Sequence, residues 1–161
     1  MRKNTDKFKD MATEEQIPHA KKKALDMLLL HDRSSYELKS GLIKYGFSEE
    51  AAEAAYEYVC SFHYIDDQRY AGNIIRSKKD TKSRREIENI LRTKHIPDDA
   101  VENAMEEFYG EDSEDSAIEE FLRKKHVSDI SEIEYEERRK LAAKLYRKGF
   151  AAENIRKKLD L

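Results

Sequence analysis

Five histidines, a single cysteine and the aspartate pair Asp66-Asp67 are the side chains weighed first for chemistry. His19, His31, His63, His95 and His126 are scattered. None falls in an H-x-x-x-H or H-E-x-x-H spacing, which would set two imidazoles on one helix face to hold a metal. Cys60 stands three residues before His63, close enough on a helix for a thiol–imidazole pair. Nothing in the sequence around it supplies an orienting group or a positive cleft, so it reads as a small core residue. Asp66-Asp67 could serve as paired carboxylates. At the head of a helical run the stronger reading is an N-cap, with acids favoured by the helix dipole. No glycine-rich phosphate loop is present. The expectation is a protein without catalytic, metal or cofactor sites, in which charge carries the function.

That charge is segregated. The 31 Lys and Arg against 34 Asp and Glu leave a net of only −3. Yet residues 69–94 hold nine basic and three acidic residues, residues 98–120 eleven acidic and no basic, and residues 138–158 nine basic and one acidic. Blocks of opposite sign on different helices predict distinct faces. On helical wheels Arg69, Asn73 and Arg76 lie opposite Tyr70, Ala71 and Ile74. Arg85, Asn89 and Arg92 lie opposite Ile87, Ile90 and Leu91. Arg139, Lys140, Lys144 and Arg147 lie away from Leu141 and Leu145. A solvated face with i,i+4 pairs would look like this, and so would a surface for a polyanion or an acidic protein.

The elements that position these residues read as helices throughout. Five glycines and two prolines in 161 residues are too few for a turn-rich β fold, and Ala, Glu, Lys, Leu and Arg dominate. The longest apolar run, Met27 to Leu30, is far short of a membrane span. The first residues lack an apolar signal core, so a soluble cytoplasmic protein is expected. Apolar residues recur at i, i+3, i+4 from Ala20 onward, and they repeat. An offset of 49 carries Leu38, Leu42, Phe47, Ala52, Tyr56 and Val59 onto Ile87, Leu91, Ile96, Val101, Met105 and Phe108. A further offset of 54 carries Ile87, Leu91, Ile96, Val101 and Met105 onto Leu141, Leu145, Phe150, Ile155 and Leu159.

The expected fold is all-α: three tandem three-helix repeats, helix-turn-helix-like units, in an elongated, curved array. The expected boundaries are a mobile polar tail over 1–18, then repeats at 19–64, 65–110 and 111–161. Ser34-x-x-Glu37 and Ser83-x-x-Glu86 are capping boxes superposed by the first offset. Glu137 and Lys140 stand at those positions in the third repeat, which lacks a box. Gly46 and Gly149 fall where a left-handed helix stop is wanted, and His95 takes that place in the middle repeat. Phe47, Ile96 and Phe150 follow the stops and are expected to plug the core.

The octet Tyr64-Ile65-Asp66-Asp67-Gln68-Arg69-Tyr70-Ala71 resembles the LDD-x-R(F/Y)A signature of the bacterial RecX regulators. Ser34/Ser35, Glu37-Leu38 and Leu42 resemble that family's S-x-x-EL-x-x-x-L element. Ile87, Leu91 and Ile96 fit its I-x-x-x-L-x-x-(K)GI element, with His95 in the glycine's place. The resemblance spans residues 20–161 and implies three three-helix repeats. It further implies a non-enzymatic, cytoplasmic modulator of the RecA recombinase, which binds RecA and its filament on single-stranded DNA. Such proteins restrain strand exchange, ATP hydrolysis and the co-protease activity of the SOS response. Weak direct contact with DNA and a monomeric state are further expectations. On this basis Arg69, Arg76, Arg85, Arg92, Arg139, Lys140, Lys144 and Arg147 are the candidate filament-binding residues. Asp66, Asp67, Arg69, Tyr70 and Ala71 form the family motif, mainly structural. The alternative is a helix-turn-helix DNA-binding protein. Against it stand the acidic starts of the third helices, Ser48-Glu49-Glu50 and Pro97-Asp98-Asp99, where phosphates would be repelled.

Overall fold

The structure, a computed structural model, describes residues 6–161. Among them are nine α-helices and no strand: α1 (Thr13–Leu30), α2 (Ser35–Tyr45), α3 (Glu49–Ser61), α4 (Asp67–Lys78), α5 (Arg84–Thr93), α6 (Asp98–Phe108), α7 (Glu111–Lys124), α8 (Tyr135–Lys148) and α9 (Ala152–Leu159). A short 3₁₀ turn, Ile130–Glu132, lies in the long connection before α8. No helix of the described residues is long and apolar enough to cross a membrane.

Local chemistry sets the helix ends. Ser34 and Ser83 each accept the N–H of the glutamate three residues on, and each glutamate side chain accepts the serine N–H in return. Three turns end on a positive φ at equivalent positions: Gly46 at 122°, His95 at 54° and Gly149 at 97°. The residue after each stop, Phe47, Ile96 or Phe150, is only 4% exposed, so the two sequence offsets hold in space.

The residues that open each third helix solve one problem in two ways. The N–H of Ser48 donates to Gln16 Oε1 at 2.8 Å, and the N–H of Ala151 donates to Glu114 Oε1 at 2.8 Å. The equivalent residue of the middle repeat is Pro97, which has no N–H to satisfy.

The described residues divide into two compact units. Unit 1 takes those up to Tyr70 together with Lys94–Ile96; unit 2 takes Ala71–Thr93 and Pro97–Leu161. The chain passes from one unit to the other inside α4, and residues 94–96, after α5, belong with unit 1. In unit 1, α1 packs chiefly on α3. Ala20 and Ala24 face a core that includes Ala51, Ala52 and Ala55, and such small side chains let helix axes approach closely. Met27, Leu38, Leu42, Phe47, Val59 and Ile65 complete this core.

Residues 6–18 do not form the mobile tail expected of residues 1–18. α1 begins at Thr13, and Phe8 is buried with its ring 4.4 Å from that of Phe47. Buried Gln16 donates to the carbonyls of Phe8 and Met11. One aromatic ring and one glutamine hold this segment, and neither leaves a periodic signal in the sequence. Residues 1–5, the rest of that expectation, lie outside the described residues.

In unit 2 a core of Ala117, Ile118, Leu122, Leu141, Leu145, Phe150, Ile155 and Leu159 fills the third repeat. Ala71, Ile75, Ile87, Leu91, Val101, Ala104 and Met105 are buried in the middle one. Gly72 lies within α4 because a Cβ there would come within 2.7 Å of the Phe108 ring.

Candidate interaction surface

The motif octet acts on α2. Asp66 caps α4, accepting the N–H of Arg69 at 3.1 Å, while Asp67 accepts the N–H of Ser35 at 2.8 Å. The Tyr70 hydroxyl donates to Glu37 at 3.0 Å, Lys94 Nζ donates to Glu37 at 3.0 Å, and the Ser34 hydroxyl donates to the Lys94 carbonyl at 3.4 Å. Arg69 pairs with Asp32 at 3.6 Å. The ring of Tyr36 stacks on that of His95 at 3.8 Å. Ala71 is fully buried. Partial burial pushes the Glu37 carboxyl up, but the hydrogen bonds of Lys94 and Tyr70 and the Lys94 charge outweigh it and hold it below its ordinary value. The same pairing raises the Lys94 ammonium. Burial, then Glu37, raises the Tyr70 phenol.

Unit 2 repeats this arrangement at the box of α5. The Ser83 hydroxyl donates to the Lys148 carbonyl at 2.6 Å, and Lys148 Nζ donates to Glu86 at 3.2 Å. Partial burial pushes Glu86 up, yet the Ser83 amide and the Lys148 ammonium hold it below its ordinary value. The Arg85 guanidinium donates to the Arg147 carbonyl, and its side chain lies where a Cβ on Gly149 would stand. Buried Tyr109 donates to the Lys82 carbonyl at 3.1 Å. Its phenol is raised by that burial and by the charge of Glu114.

The eight candidate cations therefore do not share one condition. Arg85 is committed to the end of α8. Arg76 lies 4.4 Å over the Phe108 ring and bonds Asn73, so it covers an apolar surface that the helical wheel did not show. Arg92 pairs loosely with Glu88 at 3.9 Å. On α8, Arg139 meets Glu136 at 3.6 Å and Lys140 meets Glu137 at 3.4 Å; both are exposed surface pairs of little energetic weight. Lys144 is exposed, as is Arg147, whose Nε donates to the Ala143 carbonyl.

α8 carries a second stripe that sequence reasoning passed over. Tyr135, Arg139, Ala142, Ala143 and Tyr146 line one side of a groove of about 450 Å³; Ala152, Ile155 and Arg156 of α9, with Leu161, line the other. Tyr135 is 62% and Tyr146 65% exposed. Eleven residues separate them, which returns α8 to nearly the same face after three turns, about 16 Å along its axis. Lys144 is nine residues from Tyr135, about half a turn out of phase, so the cations Lys140, Lys144 and Arg147 do not line this groove. Reading the i, i+4, i+7, i+11 spacing of residues 135–146 as a second, solvent-facing stripe would have revealed it.

The described residues thus form a protein of tandem three-helix repeats whose exposed surface carries charge and tyrosine. Two family models match it: "RecX, second three-helix domain" over residues 66–105 and "RecX, third three-helix domain" over residues 112–159. The chain is 30% identical over 140 residues to a Regulatory protein RecX of Prosthecochloris aestuarii, covering 86% of this chain and 89% of that protein. It is 31% identical over 135 residues to one of Xanthomonas campestris pv. campestris, covering 83% and 82%. The crystal structure of RecX from Lactobacillus salivarius shares the fold with a TM-score of 0.75 at 22% identity, over 91% of this chain and 98% of that one. The chain belongs to the RecX family.

Proposed function

We propose that this chain is a non-catalytic, cytoplasmic regulator that binds the RecA recombinase and its filament on single-stranded DNA. Bound there, it restrains strand exchange, ATP hydrolysis and co-protease activity in DNA repair and the SOS response. Membership of a family whose curated relatives are named regulatory proteins supports the reading. The observation that carries it is the outward flank of α8, where Lys140, Lys144 and Arg147 stand exposed on successive turns. Long-range attraction to a polyanionic filament needs only such placement. A base-edge reader of duplex DNA is not favoured, because Glu49, Glu50, Asp98, Asp99 and Glu153 occupy the first turns of α3, α6 and α9.

The test is RecA ATPase activity on single-stranded DNA, titrated with the protein. Activity should fall with the wild type. It should fall less with Lys140→Glu, Lys144→Glu, whose fold is checked by circular dichroism, and the gap should widen at low salt. A wild-type protein that changes neither RecA ATPase nor filament association would overturn the proposal.

A further inference from the structure

We infer that the groove between α8 and α9 docks an acidic, apolar-anchored segment of the protein partner, and that it is separate from the surface that meets nucleic acid. This rests on the reading of the chain as a RecA-binding protein. Ala142, Ala143, Ala152, Ile155 and Leu161 give the groove an apolar lining, on which one or two large side chains can settle. Tyr135 and Tyr146 stand mostly exposed along it, in a chain of which 40% is charged. Tyrosine and arginine are the residue types that concentrate binding energy at protein interfaces.

Charge decides the occupant. Arg139 and Arg156 come from opposite sides of the groove, and a guanidinium offers a planar fork to a carboxylate. The exposed pair of Arg139 with Glu136, at 3.6 Å, is readily exchanged for a partner's acid. Two arginines are few for tracking the backbone of a nucleic acid strand, whereas the lysine flank of the same helix is out of phase with the groove. The helix thus offers two faces: cations for the filament's phosphates, and a tyrosine–arginine groove for protein.

The test measures two affinities: for purified RecA without nucleic acid, and for an oligo-dT strand without RecA. Tyr146→Ala, and separately Ala143→Trp to fill the groove, should weaken RecA binding about 30-fold, the effect of losing an interface hot spot. Arg139→Glu, Arg156→Glu should do at least as much. Tyr146→Ala and Ala143→Trp, which change no charge, should alter oligo-dT binding by no more than about twofold, since a polyanion's affinity follows the phosphates neutralised; the arginine reversal is read on RecA alone. If the groove variants bind RecA as the wild type does, the groove is not the docking site, though the proposed function stands. Loss of oligo-dT binding instead would make the groove a nucleic-acid site and overturn the inference. A wild-type chain with no affinity for RecA would remove the proposed function and this assignment together.

Discussion

The capping boxes of α2 and α5 are the same device carrying different loads. In both, one serine hydroxyl accepts from its own helix and donates to a lysine carbonyl far along the chain, and that lysine's ammonium returns to the box glutamate. A hydroxyl can do this because it is at once donor and acceptor. The residue after the cap then differs. In unit 1 it is Ser35-Tyr36, with Tyr36 stacked on His95 and Ser35 tied to Asp67. In unit 2 it is Arg84-Arg85, with Arg85 laid against Gly149. A histidine at φ 54° costs conformational energy that a glycine avoids, but it presents a ring for Tyr36 to cover. A glycine leaves room for an arginine to reach a helix-terminal carbonyl. Helix stop and cap-following residue are therefore matched as a pair within each unit.

Exchanging the stops breaks the comparison most sharply. Gly149→His puts a Cβ within 2.6 Å of Arg85 at a φ of 97° and should cost about 3 kcal/mol, from left-handed strain plus overpacking. The reciprocal His95→Gly should shift stability by less than about 1 kcal/mol, since strain relief offsets the lost ring stack. Urea denaturation measures both, and equal costs would show that the stops are not matched to their neighbours.

The serines come next. Ser83→Ala removes an N-cap and a 2.6 Å bond to the Lys148 carbonyl and should cost about 2 kcal/mol. Ser34→Ala loses a cap and a bond of only 3.4 Å, and should cost about 1 kcal/mol by the same denaturation assay. A larger loss at Ser34 would mean that its contacts with unit 1 outweigh hydrogen-bond length.

The smallest effect is on pH dependence. Glu37 and Glu86 lie below their unfolded value of about 4.3, so the stability they contribute is present above it and lost as pH falls through their folded values. Lys94 lies above its unfolded value of about 10.4, so its contribution is present below that and lost as pH rises through the folded value. Melting temperature should therefore drop below about pH 4, and Glu37→Gln should flatten that limb. A further decline near pH 10.5, which Lys94→Met should reduce, belongs to the α2 box. An unchanged alkaline limb in Lys94→Met would assign that decline elsewhere.

Much of this is local chemistry, and local chemistry is legible in a sequence. The boxes at Ser34 and Ser83, the stops at Gly46, His95 and Gly149, and the buried residue after each depend on neighbours within a few positions. The repeat offsets made them easier to see. Contacts between distant residues left no such trace. Nothing near Ser83 announces Lys148, and nothing near Arg85 announces Gly149, so two arginines read as free cations are in use: Arg85 at a helix end and Arg76 on Phe108. The α8–α9 groove was hidden for another reason. Its alanines and tyrosines lie on a face of α8 other than the Leu141 and Leu145 stripe, and only that stripe is demanded by the core.

Repeats built to a common plan invite exchange, as modules, between positions or between relatives. Pro97 shows which module would resist. The first and last repeats each spend a side chain, Gln16 or Glu114, on the amide that opens their third helix. The middle repeat has no N–H there, and the first turn of its α4 is released from that duty. It turns outward, with Asp67 serving the Ser35 amide and Tyr70 serving Glu37. A transplanted first or last repeat would bring its own amide and its own partner, and would close upon itself. It would leave the Ser35 amide and the Glu37 carboxylate without these two ties, so the middle repeat is the module least open to replacement.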